Sequence, residues 1–262
     1  MKTNIDKALV SFRHLLEIMD ELREKCPWDK EQTFESLRTL TIEETYELAD
    51  AIAKESLVSI KKELGDILLH IVFYAKIGSE TGDFTIDQVI DALSEKLIYR
   101  HPHIFADNTA NTPQEVKDQW EKLKLKEKGG NKTVLSGVPS ALPAMIKAHR
   151  MQDKARGVGF DWEQKEQVWN KVAEELEELK VEVSKGDAEN TEAEFGDFLF
   201  SIINAARLYN INPENALEKT NAKFMRRFNY LEEQTIKKGI ELKRLSLDEM
   251  NQIWDEAKAK GL

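Results

Sequence analysis

One acidic pattern is written twice in this chain. Glu43-Glu44-Thr45-Tyr46-Glu47 is followed, after fifteen residues, by Glu63-Leu64-Gly65-Asp66. Glu174-Glu175-Leu176-Glu177-Glu178 is followed at the same interval by Glu194-Phe195-Gly196-Asp197. Each acid of the first copy has its counterpart 131 residues further on. The likeness extends outward: Met19 matches Met151 and Asp29 matches Asp161 at an offset of 132. Lys96 and Arg100 match Lys223 and Arg227 at 127, and Trp120 and Lys124 match Trp254 and Lys258 at 134. A duplication on this scale confines the chain to two similar modules. The breakers around Gly129-Gly130 and across residues 136–143 mark the join. They give an N-terminal module over 1–128, a linker over 129–142 and a C-terminal module over 143–262.

Both modules read as helical. Val168, Val172, Leu176, Leu179 and Val183 recur every three or four residues, as do Phe195, Phe198, Leu199, Ile202 and Ile203. Lys185-Gly186-Asp187 separates the two runs, with a glycine suited to a helix end and an aspartate suited to the next helix start. The result is a helix hairpin; in the first copy the break falls near Glu55-Ser56. With 33% charged residues, 12 Gly and 6 Pro in 262, the composition suits an all-α fold. Pro143 is expected at the start of a helix through Ile146, His149 and Arg150.

Gly186 is equidistant from Glu178 and Glu194, eight residues from each, so the hairpin brings both acidic pairs to one height. Glu175 with Glu178, and Glu194 with Asp197, each share a helix face. Glu44, Glu47, Glu63 and Asp66 stand in the same relation about residue 55. Four converging carboxylates repel one another and raise each other's pKa unless a cation sits among them. All-oxygen ligation favours Mg²⁺, with Mn²⁺ as a substitute, and magnesium in such sites also binds phosphates. Asp66 and Asp197 are expected nearest the core, since each precedes an apolar run.

Basic residues fit phosphate chemistry: Lys223 and Arg227 share a face, and Trp254 and Lys258 set an aromatic plane beside a cation. Lys171 lies one turn before Glu175. The copies differ after the aspartate, where Ser201 and Asn204 continue the face in the second and His70 and Phe73 in the first. An amide can hydrogen-bond a base or ribose, and Phe cannot, so the C-terminal half is expected to be the main catalyst. His101-Pro102-His103 reads as a structural turn. A net charge of −10 with no basic patch argues against nucleic-acid binding. The greasiest stretch, 67–75, is too short for a membrane span, and the lone Cys26 suits a reducing, cytoplasmic setting.

The acidic pattern with Lys-x-x-x-Arg and Trp-x-x-x-Lys, the phrase from Arg100 to Phe105, and Val158-Gly159-Phe160-Asp161-Trp162 together resemble MazG-type nucleoside triphosphate pyrophosphohydrolases, in tandem and over essentially the whole chain. The resemblance implies four-helix-bundle-like domains that dimerise, bind Mg²⁺ and cleave nucleoside triphosphates to monophosphate and pyrophosphate. It makes Glu175, Glu178, Glu194 and Asp197 metal ligands, with Glu44, Glu47, Glu63 and Asp66 as the first-copy set. Lys223, Arg227, Trp254 and Lys258 become nucleotide contacts, joined by Lys171 and Asn204, with Lys96, Arg100, Trp120 and Lys124 as N-terminal counterparts. Water activated by metal or by Glu174 or Glu175 would attack the α-phosphorus. A di-iron bundle needs Glu-x-x-His pairs, which are absent from the sequence. A non-catalytic nucleotide sensor or helical interaction module is the remaining alternative.

Overall fold

The computed structural model describes residues 4–106, 109–126, 133–237 and 239–262. Among them every regular element is helical. Two compact units result, Met1–Ala110 and Asn111–Leu262. Of the expected linker, residues 129–132 lie outside the described residues, and 133–142 run through turns and bends.

The first unit comprises α1 (Ile5–Lys25), α2 (Pro27–Glu31), α3 (Phe34–Ala53), α4 (Leu57–Thr81), α5 (Ile86–Arg100) and α6 (Pro102–Phe105). Helices α3 and α4 form its hairpin. Glu55, midway between Glu47 and Glu63, takes a left-handed φ of 54° there. Ser56 then caps α4 by accepting from the Ser59 amide. Met19, Leu37, Val72, Phe73 and Ile77 make the core, with Phe12, Leu15, Leu16, Leu40 and Tyr74 packed against it. Pro102 opens α6, so His101-Pro102-His103 is a helix junction.

The second unit holds α7 (Pro113–Lys126), α8 (Ala144–Arg156), α9 (Val168–Lys185), α10 (Ala188–Leu208), α11 (Pro213–Lys237) and α12 (Leu247–Ala259). Pro143 is the N-cap of α8, where its missing N–H costs nothing. Gly186, at φ 73°, ends α9, and Asp187 caps α10 by accepting from the amides of Glu189 and Asn190. Val168, Leu179 and Ile203 are buried, as the spacing predicts. Val183, Phe195 and Leu199, on the same expected stripes, remain about half exposed. Helix α10 packs on α9, α8 and α11, and those apolar positions remain uncovered.

Candidate metal and nucleotide site

Each hairpin gathers three carboxylates. Oxygens of Glu44, Glu63 and Asp66 lie within 4.8 Å of one another, and so do those of Glu175, Glu194 and Asp197. An all-carboxylate donor set this tight fits a hard divalent cation. Glu47 and Glu178, the fourth acids of each set, are exposed and stand outside the trios. Their charges still act on them. Burial, then Glu178 and Asp197, push the Glu194 carboxyl above its ordinary range. Burial, then Asp66 and Glu47, do the same to Glu44.

The buried member of each trio is a glutamate, Glu63 or Glu175, at 6% and 7% exposure. The aspartates, expected close to the core, are less covered than these glutamates: Asp197 is exposed and Asp66 half-buried. The reason lies beside Asp197, where Phe195, Leu199 and Phe200 are themselves uncovered. An ammonium partly neutralises each cluster. Lys62 reaches Glu63 at 3.1 Å and Asp66 at 3.3 Å in the first copy. Lys171 reaches Glu174 at 2.8 Å and Glu175 at 2.7 Å in the second. These hydrogen bonds hold the Lys171 ammonium well above its ordinary pKa.

Around the second trio opens a cavity of about 630 Å³. Lys171, Glu175 and Asp197 line one part; Met151, Phe160, Trp162, Phe200, Ser201 and Asn204 line the rest. Spacing along α10 had singled out Asn204. It did not find Arg207, whose buried guanidinium forms a two-pronged ion pair with Asp161 at 2.5 and 3.0 Å. Burial pushes Asp161 up, but the Arg207 hydrogen bonds, the Trp162 amide and the Arg207 charge outweigh it and hold the carboxyl low. The one sequence signal for this pair was the match of Asp161 with Asp29.

In the first copy the matching sequence positions carry larger side chains. Arg23 stands where the 132-residue offset places Ala155, and Phe73 where the 131-residue offset of the acidic pattern places Asn204. Phe73 is 3% exposed, and the Arg23 guanidinium sits 5.6 Å from its ring centroid. Arg23 also bridges to Glu80 at 2.5 Å and donates to the Asp29 and Gln32 carbonyls. His70 meets Thr41 Oγ1 at 2.7 Å instead of lining a cleft.

The basic and aromatic set assembles elsewhere in the second unit. Trp254 packs against Phe224 at 5.1 Å between centroids and against the Arg227 guanidinium at 5.9 Å. Arg227 Nε donates to the Leu262 carbonyl, Lys258 pairs with Asp255, and Lys223 is exposed. None of the four lines the cavity. Lys96 and Arg100 lie one turn apart on α5, and Trp120 and Lys124 one turn apart on α7.

Fold and site thus define an all-α protein with paired carboxylate clusters: Glu175 and Asp197 of the second line a largely apolar cleft of about 630 Å³, and Glu63 of the first borders an opening of about 650 Å³ among Glu43, Glu47 and Asp50. The family model described as MazG nucleotide pyrophosphohydrolase domain matches residues 32–105 and again 163–231. The chain is 45% identical over 255 residues to a nucleoside triphosphate pyrophosphohydrolase/pyrophosphatase MazG of Thermotoga maritima, covering 96% of this chain and 97% of that protein. It is 41% identical over 255 residues to the nucleoside triphosphate pyrophosphohydrolase of Escherichia coli K12, covering 95% and 97%. A Bacillus subtilis protein called YabN is 47% identical across 92% of this chain and 50% of its own length. The chain belongs to the MazG family.

Proposed function

We propose that the chain hydrolyses nucleoside triphosphates to the monophosphate and pyrophosphate, that it requires Mg²⁺, and that its C-terminal half is the main catalyst. The observation that carries this reading is the trio Glu175, Glu194 and Asp197, two of whose members line a cleft with room for a nucleotide. The names of the Thermotoga and Escherichia relatives support the same reaction. Bound among these carboxylates, Mg²⁺ would neutralise phosphate charge and lower the pKa of an attacking water.

The chain's own groups supply the rest. Lys171, on the cleft wall, meets phosphate oxygens as a mobile point charge. Glu174 or Glu175 accepts the proton of the water that attacks the α-phosphorus. Lys223, Arg227, Trp254 and Lys258 stand apart from the cleft lining, and their assignment to the nucleotide rests on the family resemblance. In the N-terminal half, Glu44, Glu47, Glu63 and Asp66 would hold the metal, and Phe73 and Arg23 at the positions of Asn204 and Ala155 support a weaker, differently selective or structural role for that half. The uncovered faces of Phe195, Leu199, Phe224 and Met225, each at least half exposed, fit a homodimer. Among the described residues no helix is long and apolar enough to cross a membrane, and the single free Cys26 is consistent with the cytoplasmic setting proposed for the chain.

Incubation with each nucleoside triphosphate and Mg²⁺, followed by separation of products, tests the proposal. Monophosphate plus pyrophosphate, lost on adding EDTA, is expected. Diphosphate plus phosphate would sink the α-phosphorus attack, and binding without product would favour the sensor.

A further inference from the structure

Both carboxylate trios carry an ammonium, but the two lysines come from different places and take different stations. At the 131-residue offset Lys62 has Ala193 as its counterpart, and Lys171 has Leu40. Each lysine is therefore private to its copy. From α4, Lys62 donates to both oxygens of Glu63, at 3.2 and 3.1 Å. It stands 3.3 Å from an oxygen of Asp66 and 4.0 Å from one of Glu47. Burial, Asp66, Glu47 and Glu63 push the Glu44 carboxyl up, and the Lys62 charge opposes them. All four acids of the first set thus feel one nitrogen. Lys171 instead divides itself between Glu174, outside the trio, and Glu175. Glu194 and Asp197 receive no ion pair from any described residue.

We propose that Lys62 is a resident counter-ion of the first trio: its ammonium takes the station of a divalent cation, and metal loads there only by displacing it. The inference rests on the reading of both trios as cation sites. Carboxylates this close repel one another unless positive charge sits among them. In the first copy the chain supplies part of that charge itself. Every carboxylate that Lys62 pairs with belongs to the ligand set, so an incoming ion strips it of all three. Lys171 keeps Glu174 as a partner when Glu175 turns to an ion. The Lys62 side chain is 66% exposed on a flexible four-carbon stem. Ion pairs so exposed are weak, so the lysine yields to a doubly charged ion, but at a higher concentration. A unit positive charge a few ångströms from a divalent ion, screened by water, corresponds to about tenfold in affinity. At limiting Mg²⁺ the second trio fills while the first stays closed by its own side chain.

Titration of the full-length chain with Mn²⁺, read from loss of the free-ion electron paramagnetic resonance signal, tests this without turnover. Glu194→Gln with Asp197→Asn silences the second trio, so that the first is read alone. In that background Lys62→Met should tighten Mn²⁺ binding about tenfold. Lys62→Arg keeps the charge and should leave the affinity near its starting value. Binding that becomes measurable only in Lys62→Met is the same result in stronger form. Ala193→Lys transplants the device to an exposed position of α10. With the first trio silenced by Glu63→Gln and Asp66→Asn, it should weaken Mn²⁺ binding at the second about tenfold. Circular dichroism verifies that each variant is folded. An affinity unchanged in Lys62→Met or in Ala193→Lys, or tightened equally in Lys62→Arg, overturns the proposal and leaves the trios as cation sites. A first trio that takes no Mn²⁺ even in Lys62→Met, while the second binds it, likewise fails this inference alone. No binding at either trio in any variant overturns the cation-site reading and the role of Lys62 with it.

Discussion

Glu175 is the buried acid of the C-terminal trio, and its replacement by Gln keeps the shape while removing a ligand charge. Turnover should fall by at least about 100-fold, the upper range seen for groups that merely support metal ligands. The paired substitutions Glu175→Ala with Glu178→Ala, set against Glu44→Ala with Glu47→Ala, measure the division of labour. Equal loss in both would refute a dominant C-terminal half. Glu174→Gln separates the proton acceptor from the ligand: a fall in kcat at an unchanged Mg²⁺ requirement marks the base, whereas a raised requirement marks a ligand. Asp161→Asn isolates the ion pair beneath Asn204. It leaves the Arg207 guanidinium buried without a carboxylate, at a cost of about 3 kcal/mol near neutral pH. The folded Asp161 lies below its ordinary value of 3.8, so its stabilisation is complete above that pH and is lost as pH falls through the folded value. The gap in denaturation midpoint between wild type and variant should therefore close in acid. A gap that persists undiminished at pH 2 would show that the carboxylate charge contributes nothing.

At the scale of the helix hairpin, the two turns offer a matched comparison. Gly186 and Glu55 occupy equivalent places and both adopt left-handed φ, but only the glycine does so without strain. A Cβ at Gly186 meets no atom within 4 Å, so Gly186→Ala has a purely conformational cost of about 1 kcal/mol. Glu55→Gly should move the other way by up to about 1 kcal/mol, read from urea midpoints at constant slope. Both hairpins were legible in the sequence, because glycine, capping residues and the 3.6-residue period are local signals. The depth of each acid was not. Period alone put Asp197 beside a core, but whether Phe195 and Leu199 are covered depends on what packs over them. The pair Arg207 and Asp161 was illegible for the same reason, since 46 residues separate its members and no helical spacing connects them.

For the molecule as a whole, the half-exposed apolar residues of α9, α10 and α11 are surface that water meets at a cost of about 25 cal/mol per Å². Covering them with a second copy is the expected remedy, and light scattering should return twice the chain mass. A monomer at micromolar concentration would refute the dimer. Divalent cation links the same surface to stability, because a ligand that binds only the folded chain raises its melting temperature. Mg²⁺ should raise it and EDTA reverse the gain, with Glu175→Gln much less responsive than wild type.

The exchange of Ala155 and Asn204 for Arg23 and Phe73 has a practical corollary. In this chain two positions outside the acidic signature tell the halves apart: a small residue ahead of the hairpin and an amide two turns beyond the aspartate in the second, a large cation and an aromatic ring in the first. Searching on the acids alone would count both halves as equals.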